Sequence, residues 1–311
     1  MHLTTRPALP LAGFLITLLG AILFSTKAIF VKLAFGDTHT DALTLLTLRM
    51  VFALPFYATV AIVVSGKRTN VRMTRSQWGL VILLGMLGYY VSSLLDFMGL
   101  QYVSAGLERL LLFLYPSFVV FINAVIFKQR ITPIQKWALL LTYLGIAIAY
   151  VGELTLDTSR QGIYWGSFLV FLCAITYSMY IAGSGKLIPL VGANKFTAYA
   201  MLAATAGIFA HFALVGNSQL LVAGQGLWGY GLLLAVFSTV LPSFLISQGL
   251  KRIGANNVAI ISGIGPISTI AQAHFFLREP IFAAQIGGTV LVVCGVLLLS
   301  WKRSAVAVAT A

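Results

Sequence analysis

The sequence predicts an all-α integral membrane protein with ten transmembrane helices, arranged as two inverted five-helix repeats. Three observations point there. Of 311 residues, 59% are apolar and only 9% charged, whereas soluble domains carry about 25% charged residues. Ten apolar stretches, each near the length of roughly 20 residues that one crossing needs, use almost the whole chain. Lysines and arginines collect in alternate joints, as the preference of basic residues for cytoplasmic loops requires. This composition excludes a disordered chain, a disulfide scaffold, collagen and an ordinary soluble enzyme.

The spans are placed in order at 11–34, 42–64, 77–99, 104–127, 134–152, 162–182, 194–215, 227–248, 255–277 and 281–301. The first is read as retained, because 11–35 is too long for a signal-peptide core and lacks a small-residue cleavage site. It carries Gly20, Ala21, Ser25, Thr26 and Lys27, and the second span carries Arg49. The third holds Tyr89 and Tyr90 and closes on Asp96; the fourth opens on Glu108 and Arg109 and continues through Tyr115, Pro116 and Asn123. Proline is tolerated within a membrane helix when neighbours satisfy the freed carbonyl. The sixth carries Trp165, Tyr177, Ser178 and Tyr180, and the ninth Asn256, Asn257, Gly263, Gly265, Pro266 and Gln272. Gly287 and Gly288 open the tenth to a close neighbour.

With the N-terminus in the cytoplasm, one side collects Arg6, Lys67, Arg68, Arg72, Arg75, Lys128, Arg130, Lys136, Lys186, Lys195, Lys251, Arg252, Lys302 and Arg303. The opposite side keeps Arg160 and Arg278, together with Asp37, Asp41, Glu153, Asp157 and Glu279. Both termini are therefore expected in the cytoplasm, and the net charge of +13 reads as a topology signal rather than a nucleic-acid face. Cys173 and Cys294 both lie in apolar runs, which suits buried small residues and no metal cluster.

A shift of 150 residues matches Gly99 to Gly249, Ala105 to Ala255, Pro116 to Pro266, Ile131 to Ile281, Gln135 to Gln285 and Gly145 to Gly295. The halves are 11–152 and 162–301, each with five spans. Five is odd, so the second copy re-enters the membrane inverted, a plan that places a substrate site at the repeat interface near the bilayer midplane.

On this layout, the small-residue first span around Gly20, Ala21, Phe24 and Ser25, Arg49, Leu114-Tyr115-Pro116, Gly263-Ile264-Gly265-Pro266 and Phe276-Leu277-Arg278-Glu279-Pro280, the chain resembles the drug/metabolite transporter superfamily, EamA type. The resemblance covers nearly the whole chain. Relatives commonly carry a glutamate after the fourth and ninth helices; Glu279 matches the second, while Lys128-Gln129-Arg130 departs from the first. The resemblance implies a carrier of small organic metabolites, often amino acids or related solutes and often by export, in the bacterial inner membrane.

Charge is costly in lipid, so Lys27, Arg49, Asp96, Glu108 and Arg109 need partners or water, and are expected to form a gating network at the external ends of the first four helices. Asp96 and Glu108 are also the candidates for a proton relay. Lys32 is expected to snorkel from the end of its helix. Solute-cavity candidates are Ser25, Tyr89, Tyr90, Tyr115, Asn123, Tyr177, Ser178, Tyr180 and Gln272, which combine aromatic walls with hydrogen bonds. Pro116, Gly263, Gly265 and Pro266 are expected to bend helices around that cavity. No cofactor, metal or nucleic acid is expected, the partners being the lipid bilayer and the solute, with a monomer sufficient. The rival class is a membrane structural or sensor protein that moves no solute.

Overall fold

The computed structural model describes residues 11–67, 71–126, 128, 131–156, 162–219 and 226–301, the side chains of 156, 247, 250, 251, 254–257, 259, 260 and 299–301 excepted. Arg6, Arg68, Gln129, Arg130, Asp157, Arg160, Lys302 and Arg303, and the side chains of Lys251, Asn256 and Asn257, thus lie outside the described residues. Among the described residues thirteen α-helices run in chain order. They are α1 (Leu11–Thr38), α2 (Ala42–Ser65), α3 (Arg75–Gly85), α4 (Ser92–Leu100), α5 (Ala105–Leu112), α6 (Tyr115–Ile126), α7 (Pro133–Leu156), α8 (Ile163–Val191), α9 (Ala193–Val215), α10 (Leu227–Ala235), α11 (Leu241–Ser262), α12 (Gly265–Leu277) and α13 (Ala283–Trp301).

Several of these form continuous rods, since short π-turns at Met86–Val91 and Val236–Val240 join α3 to α4 and α10 to α11. Among the described residues, eight rods are long and apolar enough to cross a bilayer, the last being Leu227–Ile246, and Ala283–Leu298 is a shorter apolar helix. The fold is an all-α, multi-pass membrane fold.

Helix starts follow local chemistry. Asp41 caps α2 by accepting from the Thr44 amide at 2.7 Å. Thr74 with Gln77, and Thr132 with Gln135, exchange reciprocal hydrogen bonds that satisfy the first amides of α3 and α7. Two sequence boundaries are corrected. The sixth span was placed to end at 182, yet α8 continues to Val191; a joint was placed at 249–254, yet α11 continues to Ser262. Hydropathy falls at Lys186, Lys251 and Arg252, but lysine and arginine are good helix formers, so a polar turn of helix was mistaken for a loop.

The chain breaks instead at Gly263–Ile264, and the same two-residue break occurs at Phe113–Leu114, 150 residues earlier. Pro116 and Pro266 each sit second in the helix that follows, where no intrahelical donor is lost. The bends thus precede the prolines rather than arise within a helix. The two π-turns start at Met86 and Val236, again 150 residues apart.

Packing depends on glycine at the tightest crossings. Gly20 of α1 admits Leu245 and Ile246 of α11, Gly85 of α3 lies against the Ala200 backbone of α9, and Gly145 of α7 against the Gly288 backbone of α13. The largest buried cluster, with Leu45, Leu46, Leu48, Phe97 and Leu100, lies where α1, α2, α4 and α10 meet. Phe121, Trp137, Tyr164, Leu214 and Phe275 stay exposed, as expected of surfaces wetted by lipid chains.

Candidate functional site

Lys27 of α1 reaches two carboxylates that arrive on different helices. Its Nζ lies 2.6 Å from Asp96 Oδ2 on α4 and 3.4 Å from Glu108 Oε1 on α5. The two acidic side chains are 2% and 0% exposed. Taking such groups out of water costs several kcal/mol per ion, which is offset only by close pairing. Arg49 on α2 lies in electrostatic reach of Asp96, donates to Ser93 Oγ at 3.0 Å and lies 5.1 Å over the Phe97 ring. Two cations therefore face two acids across α1, α2, α4 and α5. Arg109 lies in electrostatic reach of Glu108 but makes no ion pair among the described residues, and sits 5.3 Å over Phe113, just beyond α5.

Neighbouring interactions hold this cluster in register. Lys32 donates to the carbonyls of Leu100 (3.2 Å) and Val103 (2.8 Å), where α4 ends. It does not snorkel, because unpaired carbonyls at a helix C-terminus attract a cation more strongly than the lipid boundary does. Glu279, in the joint after α12, accepts from the amides of Ala105 (3.0 Å) and Gly106 (3.4 Å), placing a carboxylate at the positive end of α5. Ser104 adds the usual cap by accepting from the Leu107 amide.

Beside the charges runs a seam of tyrosines. Tyr89 and Tyr180 hydroxyls meet at 2.8 Å, Tyr180 stacks on Tyr177 at 5.8 Å, and Tyr177 meets Tyr115 edge-on at 5.2 Å. The π-turn after α3 carries Tyr89 toward α8 and Tyr90 toward α9, where Tyr90 bonds His211 Nδ1 at 2.8 Å. Gly88, on the same turn, lies flush against the Tyr180 ring. Tyr90 thus faces away from the seam that the other tyrosines share.

The remaining candidates occupy several surroundings. Ser25 donates to Ala21 O (3.0 Å) and Gly265 O (3.2 Å), tying α1 to the start of α12. Gln272 donates to Ser268 at 2.8 Å, and Thr26 bonds Ser238 at 2.9 Å. Buried Ser178 bonds its own helix at Ile175 O, and Asn123 is half-buried on α6 two turns beyond Tyr115. A cavity of ≈ 230 Å³ lies between α6 and α7, lined by Ser117, Phe118, Phe121, Ile131, Leu139 and Tyr143. It holds none of the solute-cavity candidates, of which Tyr89, Tyr115, Tyr177 and Tyr180 line the seam instead.

Sequence reasoning missed Ser93 and Tyr57, and the charges near Cys173. Ser93 was readable as a hydroxyl on the buried side of the third span. Tyr57, in electrostatic reach of Arg49 and 3.5 Å from Ser243, had no distinguishing signal. Cys173 is buried in an apolar cluster as expected, and lies besides in electrostatic reach of Lys27, Asp96 and Glu108, whereas Cys294, also expected buried, is exposed.

Comparison with known proteins agrees with this architecture. The chain is 29% identical over 292 residues to an uncharacterized transporter, YcbK, of Bacillus subtilis (strain 168), covering 91% of this chain and 92% of that one. An uncharacterized transporter of Archaeoglobus fulgidus is 22% identical over 286 residues, covering 92% and 94%. A biotin transporter of Escherichia coli (strain K12) is 22% identical over 218 residues, covering 69% and 71%. A solved crystal structure shares the fold with a TM-score of 0.64 at 17% identity, over 92% of this chain and 94% of that one. No group of three or more His, Cys, Asp or Glu side chains suited to a metal ion occurs among the described residues. The model of the EamA-like transporter family matches residues 11–151 and again 164–301, and the chain belongs to that family.

Proposed function

We propose that the protein is a secondary carrier of small organic metabolites, amino acids or related solutes, working by export across the bacterial inner membrane. In this reading ten crossings form two inverted units, 11–152 and 162–301, with both termini cytoplasmic. The units open alternately to either side of the bilayer. The observation that carries the reading is the buried Lys27–Asp96–Glu108 cluster, which joins three helices at one end of the tyrosine seam. Closed, it seals the seam from the face that the basic residues mark as external. Opened, it hydrates three charges, which makes it a two-state element rather than a fixed strut.

Several further features support the reading. The two-residue breaks and the π-turns recur at the same spacing as the sequence repeat, as expected when two copies of one unit surround a common site. Asp96 and Glu108 are the carboxylates through which a proton would be coupled to movement. That one relative is a biotin transporter supports a solute of metabolite size. A monomer suffices, since both units lie in one chain.

The test is flux in proteoliposomes holding the purified protein, with amino acids, biotin, amines and neutral metabolites supplied in turn, with and without a proton gradient. Saturable movement of at least one solute is expected, accelerated by the gradient. No movement across the panel would favour a structural or sensor role, and movement indifferent to the gradient would remove the proton step alone.

A further inference from the structure

Arg109 is the cation that the ion-pair cluster leaves over. Its Nε is buried without a hydrogen-bond partner, and its guanidinium lies over the Phe113 ring. The adjacent Glu108 lies in its electrostatic reach but pairs with Lys27. The guanidinium lies so close to Gly265 that a Cβ there would come within 2.6 Å of Nη2. Gly265 opens α12, so a positive group rests at the positive end of a helix dipole. Such a placement is unfavourable until an anion joins it.

Two more donors converge on the same place. Tyr115 and Tyr177 lie in electrostatic reach of Arg109 with their rings 5.2 Å apart. Neither hydroxyl has a hydrogen-bond partner among the described residues, whereas Tyr89 and Tyr180 satisfy each other. Arg109 Nε is withdrawn from water and has no acceptor, which costs about 1–3 kcal/mol, and the two part-buried phenols beside it are free to bond an incoming group. A guanidinium fork with two phenols calls for a planar acceptor carrying two oxygens. One unpaired cation balances a single negative charge, which favours a carboxylate over a phosphate dianion.

Building on the carrier reading, we propose that Arg109, Tyr115 and Tyr177 bind a carboxylate group of the solute, whose body lies along the tyrosine seam. Asp96 and Glu108 pair with Lys27, so among the described residues no acid beside this seam stands outside an ion pair to select an ammonium group.

The experiment is titration calorimetry on the purified full chain with matched acids and amides: 3-phenylpropanoate and 3-phenylpropanamide, N-acetylphenylalanine and its amide, and any carboxylate moved in the flux panel with its amide. Acids are expected to bind about tenfold or more tightly than their amides, the size of one charge-assisted hydrogen bond. Arg109→Gln abolishes that preference, and Arg109→Lys keeps part of it because the charge stays while the fork is lost. Tyr115→Phe and Tyr177→Phe keep the rings, so each weakens acids several-fold and leaves amides unchanged. Equal binding of acid and amide, or a preference that survives Arg109→Gln, overturns the assignment. Flux of neutral or cationic solutes with no acid bound overturns the anchor and leaves the carrier reading standing. No binding together with no flux overturns both.

Discussion

Replacing Lys27 by methionine is expected to destabilise the protein by about 3–5 kcal/mol and to abolish transport. The substitution keeps the bulk of the side chain but removes the cation that faces Asp96 at 2.6 Å and Glu108 at 3.4 Å. Two buried acids are then left without an ion pair, with Arg49 in electrostatic reach of Asp96 and Arg109 of Glu108, and an uncompensated buried charge is far costlier than the pair was worth. Thermal unfolding in detergent measures the loss. The companion variant Lys27→Met/Asp96→Asn/Glu108→Gln removes all three charges, and is expected to recover most of the stability while remaining inactive. That split matters, because it separates the cost of orphaned charge from the function of the cluster. A Lys27→Met protein as stable and active as the parent would show that the cluster neither holds nor gates anything.

The second large effect is expected at two adjacent glycines that differ only in what they face. A side chain at Gly288 would enter the backbone of Gly145 and the Ala149 methyl on α7, whereas nothing lies within 4 Å of a Cβ at Gly287. Gly288→Leu must therefore push α13 off α7, a backbone displacement that costs about 3 kcal/mol or more. Gly287→Leu faces open space and is expected to change stability by less than about 0.5 kcal/mol. Unfolding midpoints of the two variants, compared side by side, check the crossing directly. Equal midpoints would mean that α7 and α13 do not meet as described.

Much of this was legible in the sequence, for physical reasons that vary with the residue. Lys27, Asp96 and Glu108 stood out because charge within an apolar run demands a partner, and three such residues in neighbouring spans have few partners besides one another. Arg49 and Arg109 raised the same demand, yet which cation joins the acids depends on helix rotation, which hydropathy does not report. Lys32 was misread because its partners are backbone carbonyls at the end of α4, invisible to any count of charges. The π-turn that sends Tyr89 and Tyr90 to different helices leaves no mark in composition, since it changes hydrogen-bond spacing and not residue type. Glu279 was noticed as an acid of an external joint and for its resemblance to relatives; its role at the start of α5 spans 174 residues of sequence and needed the fold.

The central claim is that the seam opens alternately toward its two ends, with the Lys27 cluster as the closure at one of them. Paired spin labels measure this most directly, on a background lacking Cys173 and Cys294. One pair replaces His39 and Pro280, in the α1–α2 turn and the α12–α13 joint; the other replaces Gly66 and Gly192, after α2 and between α8 and α9. On adding a transported solute, or on Lys27→Met, the first distance is expected to lengthen while the second shortens. Two distances that stay fixed while the same preparation moves solute would contradict the account.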